Sequence, residues 1–120
     1  MSSAYNPTIR QYSTWEIILA IKNPDESPFV LTNYTGESQI RPAYGSNTIL
    51  ASPVVTVVDA PNGLLRVFLA KDQTAALIPT DPKLPLPVWD VLLSNTDNSE
   101  TFVAVGGRVT VLPGVTQWQI

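Results

Sequence analysis

Large apolar residues alternate with polar or small ones along Trp15-Glu16-Ile17-Ile18-Leu19-Ala20-Ile21-Lys22, with positions 15, 17, 19 and 21 all large and apolar. A period of two puts those four on one face of a strand and predicts that this face is buried. Asn23-Pro24-Asp25-Glu26-Ser27-Pro28 breaks the pattern. Its prolines have no N–H to give to a ladder, so the segment is a turn or loop. Tyr34 to Arg41 reads as a second strand, Pro42 to Asn47 as a turn, Thr48 to Ala51 as a short edge and Val54 to Asp59 as a β-branched strand. Pro61-Asn62-Gly63 reverses the chain, because Asn-Gly readily takes positive φ, and leads into Leu64 to Leu69. Asp72 to Ile78 carries good helix formers, but Pro79 limits it to about two turns. Pro79 to Pro87 is an extended proline-rich connection. Val88 to Asn95 and Glu100 to Leu112 are the closing strands, joined by Thr96-Asp97-Asn98-Ser99. Gly106-Gly107 predicts a bulge or bend in the last of them.

About seven or eight short strands, with turn signals every ~8–12 residues, predict an all-β fold. The expected architecture is an immunoglobulin-like antiparallel β-sandwich with one short helical turn and no disulfide. Residues 1–13 are expected to form an N-terminal arm or first edge strand, 14–114 the sandwich and 115–120 a C-terminal tail. The 120 residues are enough for one domain with a core of its own. Seven basic residues (Arg10, Lys22, Arg41, Arg66, Lys71, Lys83 and Arg108) stand against ten acidic ones and are scattered. That excludes nucleic acid and anionic membrane as partners, since both call for clustered Lys and Arg. No apolar run approaches the ~20 residues of a membrane span. The N-terminus lacks the basic start and apolar stretch of a signal peptide, so synthesis in a cytoplasm is expected. With 14% charged and 44% hydrophobic residues, part of the surface is expected to be covered in an assembly.

The chain has no histidine and no cysteine. The usual general base, the thiolate nucleophile and the best zinc ligands are therefore missing, and no catalytic residue, cofactor or metal is expected. Asp25-Glu26 and Asp97-Asn98-Ser99-Glu100 lack a full calcium-loop spacing and read as solvated turns. Asn33-Tyr34-Thr35 matches a glycosylation acceptor formally, and without a secretory signal the match is accidental. Asp90 is expected to face outward and to pair with an arginine such as Arg108 on a neighbouring strand.

Five segments carry a further signal: Leu31-Thr32-Asn33-Tyr34-Thr35, Gln39-Ile40-Arg41, Thr74 to Leu77, Trp89 to Leu93, and Gly107-Arg108-Val109-Thr110-Val111-Leu112-Pro113-Gly114-Val115-Thr116. Their order resembles small tail-associated proteins of bacteriophages. These share an immunoglobulin-like N-terminal domain with baseplate upper proteins and tail-fibre adaptors. Asn33 stands where that family commonly has Gly, and the proline-rich link is longer than usual. The resemblance implies a sandwich whose core and signature positions are Trp15, Leu31, Tyr34, Gln39, Ile40, Arg41, Trp89 and Arg108. It also implies a virion structural role, connecting a tail fibre to the baseplate, with other virion proteins as partners. A homo-oligomer, with threefold symmetry the natural expectation, goes with that role.

The residues expected to make contacts are Tyr5 and Arg10 in the arm, Leu84 and Leu86 in the proline-rich loop, and Trp118 and Ile120 in the tail. For the tail, docking between chains and folding back on its own domain both remain open. For the loop, a rigid connector and a pre-extended binding segment are the two readings. Ile18 and Leu92, apolar on nominally outer faces, mark either a subunit contact or positions covered by the protein's own loops. The alternative function is a carbohydrate- or receptor-binding module in which Tyr5, Tyr12, Tyr44 and Trp118 cluster near polar groups and hold a glycan. A head–tail connector or capsid decoration protein is a further alternative, because fold alone does not fix a place in a particle.

Overall fold

The computed structural model describes residues 3–116. Among them are nine strands and one short helix: β1 (Ser3–Ala4), β2 (Thr8–Arg10), β3 (Trp15–Ala20), β4 (Tyr34–Arg41), β5 (Val54–Asp59), β6 (Leu64–Leu69), α1 (Lys71–Ala76), β7 (Val88–Asn95), β8 (Thr101–Arg108) and β9 (Thr110–Leu112). They form an all-β sandwich. One sheet has the order β3-β6-β5 and the other β1-β8-β7-β4, with β2 and β9 paired beside it. This connectivity is that of an immunoglobulin-type sandwich. The second, fifth and fourth main strands make one layer, and the last, the sixth and the third make the other.

Alternation decides which residues meet. Ile17 and Leu19 from β3, Val55 and Val57 from β5, and Leu65, Val67 and Leu69 from β6 point at Ile40, Trp89, Val91 and Leu93 of the facing sheet. Leu31, Leu77, Val109 and Val111 close the core from the loops and the final strand. Aromatic groups cap its two ends. At one, Phe29, Tyr34 and Phe102 meet edge to face with centroids 5.4–6.0 Å apart. At the other, Trp89 stands edge-on between Trp15 (6.0 Å) and Tyr5 (6.2 Å). Gly36 allows a close approach of the two sheets, since an added Cβ there would lie 2.4 Å from Val55 Cγ1.

The first strands are not antiparallel. β1 runs parallel to β8 (Ala4 opposite Gly106) and β2 parallel to β9 (Ile9 opposite Val111). Pro7 and Ile9 of this arm are fully buried. Gly107 makes the approach possible, since a Cβ there would stand 2.3 Å from the Tyr5 carbonyl oxygen.

Three local expectations are corrected. The strand expected from Glu100 to Leu112 is two strands, broken at Val109, because β8 ladders with β7 while β9 ladders with β2. The bulge in that region falls at Ala104, where Val91 faces Val105 and Leu92 faces Val103, and not at the glycines. The edge expected at Thr48 to Ala51 makes only an isolated bridge from Ala51 to Ile40.

Candidate functional site

The outer face of the β8-β7-β4 layer brings together the polar side chains with the most chemistry. Cross-strand register arranges them in rows: Arg41, Val88 and Arg108; then Gln39, Asp90 and Gly106; then Glu37, Leu92 and Val103. Alternation turns Ile40, Trp89 and Gly107 to the opposite, inner side. Asp90 occupies the middle of the middle row. A hollow of about 250 Å³ lies beside this residue, between β4, β7 and the loop that follows β4. Gln39, Arg41, Tyr44, Gly45 and Leu92 also line it. A smaller hollow of about 80 Å³, lined by Glu37, Ser38, Gln39, Asp90 and Leu92, continues along the same strands.

Each wall is fixed by identifiable bonds. Arg41 donates from Nε (3.1 Å) and Nη2 (2.7 Å) to Gln39 Oε1, and from Nη1 to the Ser46 carbonyl. Gln39 and Arg41 sit two residues apart on one strand face, which is why one amide oxygen can hold the guanidinium. Arg108 donates from Nη1 to the Leu86 carbonyl (3.2 Å) and lies over the Tyr44 ring, 5.5 Å from its centroid. Tyr44 itself is 74% exposed. Below, the Ser38 hydroxyl donates to the Asp90 main-chain oxygen (2.7 Å). No hydrogen bond reaches the Asp90 carboxylate among the described residues. Burial holds its carboxyl above the ordinary carboxylate range, against the opposing pull of the nearby Arg41 guanidinium.

The expected partnership of Asp90 with Arg108 is therefore corrected. Arg41 is the cation that Asp90 feels, while Gly106 intervenes on the β8 side and Arg108 turns to Tyr44 and Leu86. Gln39 and Arg41 reach the hollow together, whereas Ile40 between them is core. Leu31 is buried and Tyr34 joins the aromatic cap. Asn33 has a φ of 65°, a left-handed conformation that Gly and Asn tolerate best, and its Nδ2 donates to Asp97 Oδ2 at 2.7 Å. Trp15 and Trp89 pack on each other, and the Trp89 indole N–H donates to the Tyr5 carbonyl at 2.8 Å.

The residues expected to make contacts are dispersed. Tyr5 packs on Trp89, and Arg10 is exposed beside Tyr12 and Gly114. Leu84 is exposed at an apolar groove of about 200 Å³, with Leu50, Leu77, Ile78, Pro85 and Val111. Leu86 is half-buried, and Val88, grouped with it in sequence, is buried in β7. Tyr5, Tyr12 and Tyr44 do not line one common hollow. Trp118 and Ile120 lie outside the described residues.

A second surface lies on the other side of the sandwich. The outer face of the β3-β6-β5 sheet carries Ile18 (53% exposed), Val54 (57%) and Val58 (49%) around half-buried Leu64 and Phe68. Arg66 lies in its centre, over the Phe68 ring at 4.5 Å and paired with Glu16 at 3.1 Å. The pairing lowers the Glu16 pKa. Only Ile18 announced this face, because the apolar run of β5 reads equally well as a strand buried on both sides.

Among the described residues, no group of three His, Cys, Asp or Glu side chains is placed to hold a metal ion, and no helix is long and apolar enough to cross a membrane. The chain matches no protein-family model and no curated protein.

Proposed function

We propose that the chain is a non-catalytic structural protein of a bacteriophage virion, an adaptor that joins a tail fibre to the tail tip or baseplate. The observation that carries this reading is the apolar outer face of β3-β6-β5. Three large aliphatic side chains, Ile18, Val54 and Val58, stand about half-exposed on this sheet, where a free-standing domain would place polar ones. Next to it the main-chain groups on the outer edges of β3 and β5 have no ladder partner among the described residues, and such edges accept a strand from a neighbour. The ordered resemblance from Leu31 to Thr116 supplies the kind of particle. Function on this reading is positional: the sandwich is a rigid spacer, and its faces make the contacts.

The test has two parts. Light scattering of the purified chain over a concentration series is expected to show a closed oligomer, a trimer being the simplest for a fibre attachment. Antibody against the chain is expected to label the tail end of phage particles released from cells carrying its gene. Particles that contain none of the chain would overturn the assignment.

A further inference from the structure

We propose that the hollow over Asp90 on the outer face of the β8-β7-β4 layer binds a neutral saccharide, one sugar ring against Tyr44 with the chain continuing toward Glu37. The inference goes beyond the adaptor role and does not depend on it, since it concerns the opposite face of the sandwich.

Charge selects the ligand class. Arg41 and Arg108 would repel an ammonium or guanidinium group, and Asp90 with Glu37 would repel a phosphate or carboxylate. A neutral polyhydroxyl compound meets neither obstacle and uses both signs, because each hydroxyl donates one hydrogen bond and accepts others. The Asp90 carboxylate accepts no hydrogen bond within the described residues, so its lone pairs can take hydroxyl protons. Arg41 is already held by Gln39 and Ser46, and a guanidinium has five N–H groups, so N–H donors remain free at a fixed position. Such pre-organisation lowers the ordering cost of binding. The Tyr44 ring is braced on one side by Arg108 and remains 74% exposed, which makes it a platform for the C–H face of a pyranose. Leu92 supplies an apolar rim shared by both hollows. The larger hollow, at about 250 Å³, is the size of a site for one small ring, and the smaller one beyond Gln39 and Asp90 gives an extended ligand a direction.

The experiment is an amide ¹⁵N–¹H titration of the full chain with the methyl glycosides of glucose, galactose, mannose and N-acetylglucosamine, and separately with sodium phosphate and lysine methyl ester. At least one glycoside is expected to shift the Gln39 side-chain amide and the backbone amides of Asp90, Leu92 and Gly106, saturating in the millimolar range typical of a single small ligand. Tyr44→Ala and Asp90→Ala are each expected to weaken that binding about tenfold, the loss of one good contact or hydrogen bond. Tyr44 is in an exposed loop, so its variant keeps the fold, and the unchanged dispersion of the spectrum checks this. Three outcomes would overturn the proposal: no glycoside shifting these signals, both variants binding as tightly as the parent, or a stronger response to phosphate or to the lysine ester than to any glycoside.

Discussion

At the scale of single residues, two positions hold the fold where a side chain or its absence decides distances, and a third weighs against it. Gly36 lets the two sheets meet at Val55, so Gly36→Ala forces a methyl group into occupied space. Overpacking of this kind costs about 1–3 kcal/mol, and chemical denaturation of the variant measures it. Trp89 serves two ends of the chain at once, through its packing on Trp15 and its bond to the Tyr5 carbonyl. Trp89→Phe keeps much of the packing and loses the bond, for an expected destabilisation of about 1 kcal/mol. Asp90 acts through pH. Burial raises its folded-state pKa, so the folded protein takes up a proton more readily than the unfolded chain. Its carboxylate therefore weighs against folding above the raised pKa, and that cost disappears as pH falls below the unfolded value. Asp90→Asn is accordingly expected to melt higher than the parent at pH 7, with the difference closing near about pH 3, as a pair of thermal melts reads directly. The carboxylate itself was visible in the sequence, and so was its outward direction. Which arginine faced it was not, because that depends on a glycine in the neighbouring strand and a loop tyrosine folding over Arg108.

At the scale of elements, β4, β5, β6 and β7 have the bounds that hydrophobic alternation and the Asn-Gly turn predict, since these are local properties of the chain. The helix begins at Lys71 and ends at Ala76, held short by Pro79 as its composition implies. What alternation could not give was pairing. Nothing between Glu100 and Leu112 says that its first part belongs to β7 and its second to β2. Nothing in the first ten residues says that they run parallel to their neighbours. The pairings of the arm are set by partners about a hundred positions away. The arm is integral to the sandwich, and removing residues 1–10 takes out buried Ile9 and Pro7 and the partner of the Trp89 indole N–H. The expected loss is about 3 kcal/mol or more, with Trp89 fluorescence shifted to the red as its ring meets water.

At the scale of the whole molecule, the two outer faces differ in kind. One is apolar with a single central ion pair; the other is polar, with a hollow. This division argues for two separate engagements by one rigid body, the first with protein and the second with a sugar. The engagements should separate by mutation. Ile18→Asp with Val54→Asp is expected to leave the chain folded, since both side chains already face solvent, and to reduce any oligomer to a monomer in light scattering. The same pair should leave glycoside shifts at Asp90 unchanged. A double variant that assembles as the parent does would remove the apolar face from the argument for assembly. The sequence made the apolar face partly legible through Ile18 and the polar one through Asp90 and Leu92, but not the hollow itself. A polar hollow has no periodicity; it arises where two strands and a loop converge.

The parallel seam between the arm and the last two strands also bears on the order in which the molecule comes into being. Residues 3–10 find their partners at 105–112, so the seam cannot close until nearly the whole domain has been synthesised. Closing so long a loop is slow compared with forming the hairpins β5-β6 and β7-β8. Refolding should therefore end with a distinct late step, seen as Tyr5 and its backbone settle against Trp89. Before that step the edges of β8 and β9 stand open, and a second chain's arm could close them in place of the protein's own. A late-docking arm is therefore expected to leave some exchanged, interlocked dimers when the protein is refolded at high concentration and none when it is refolded dilute, as size-exclusion chromatography of the two preparations reads directly.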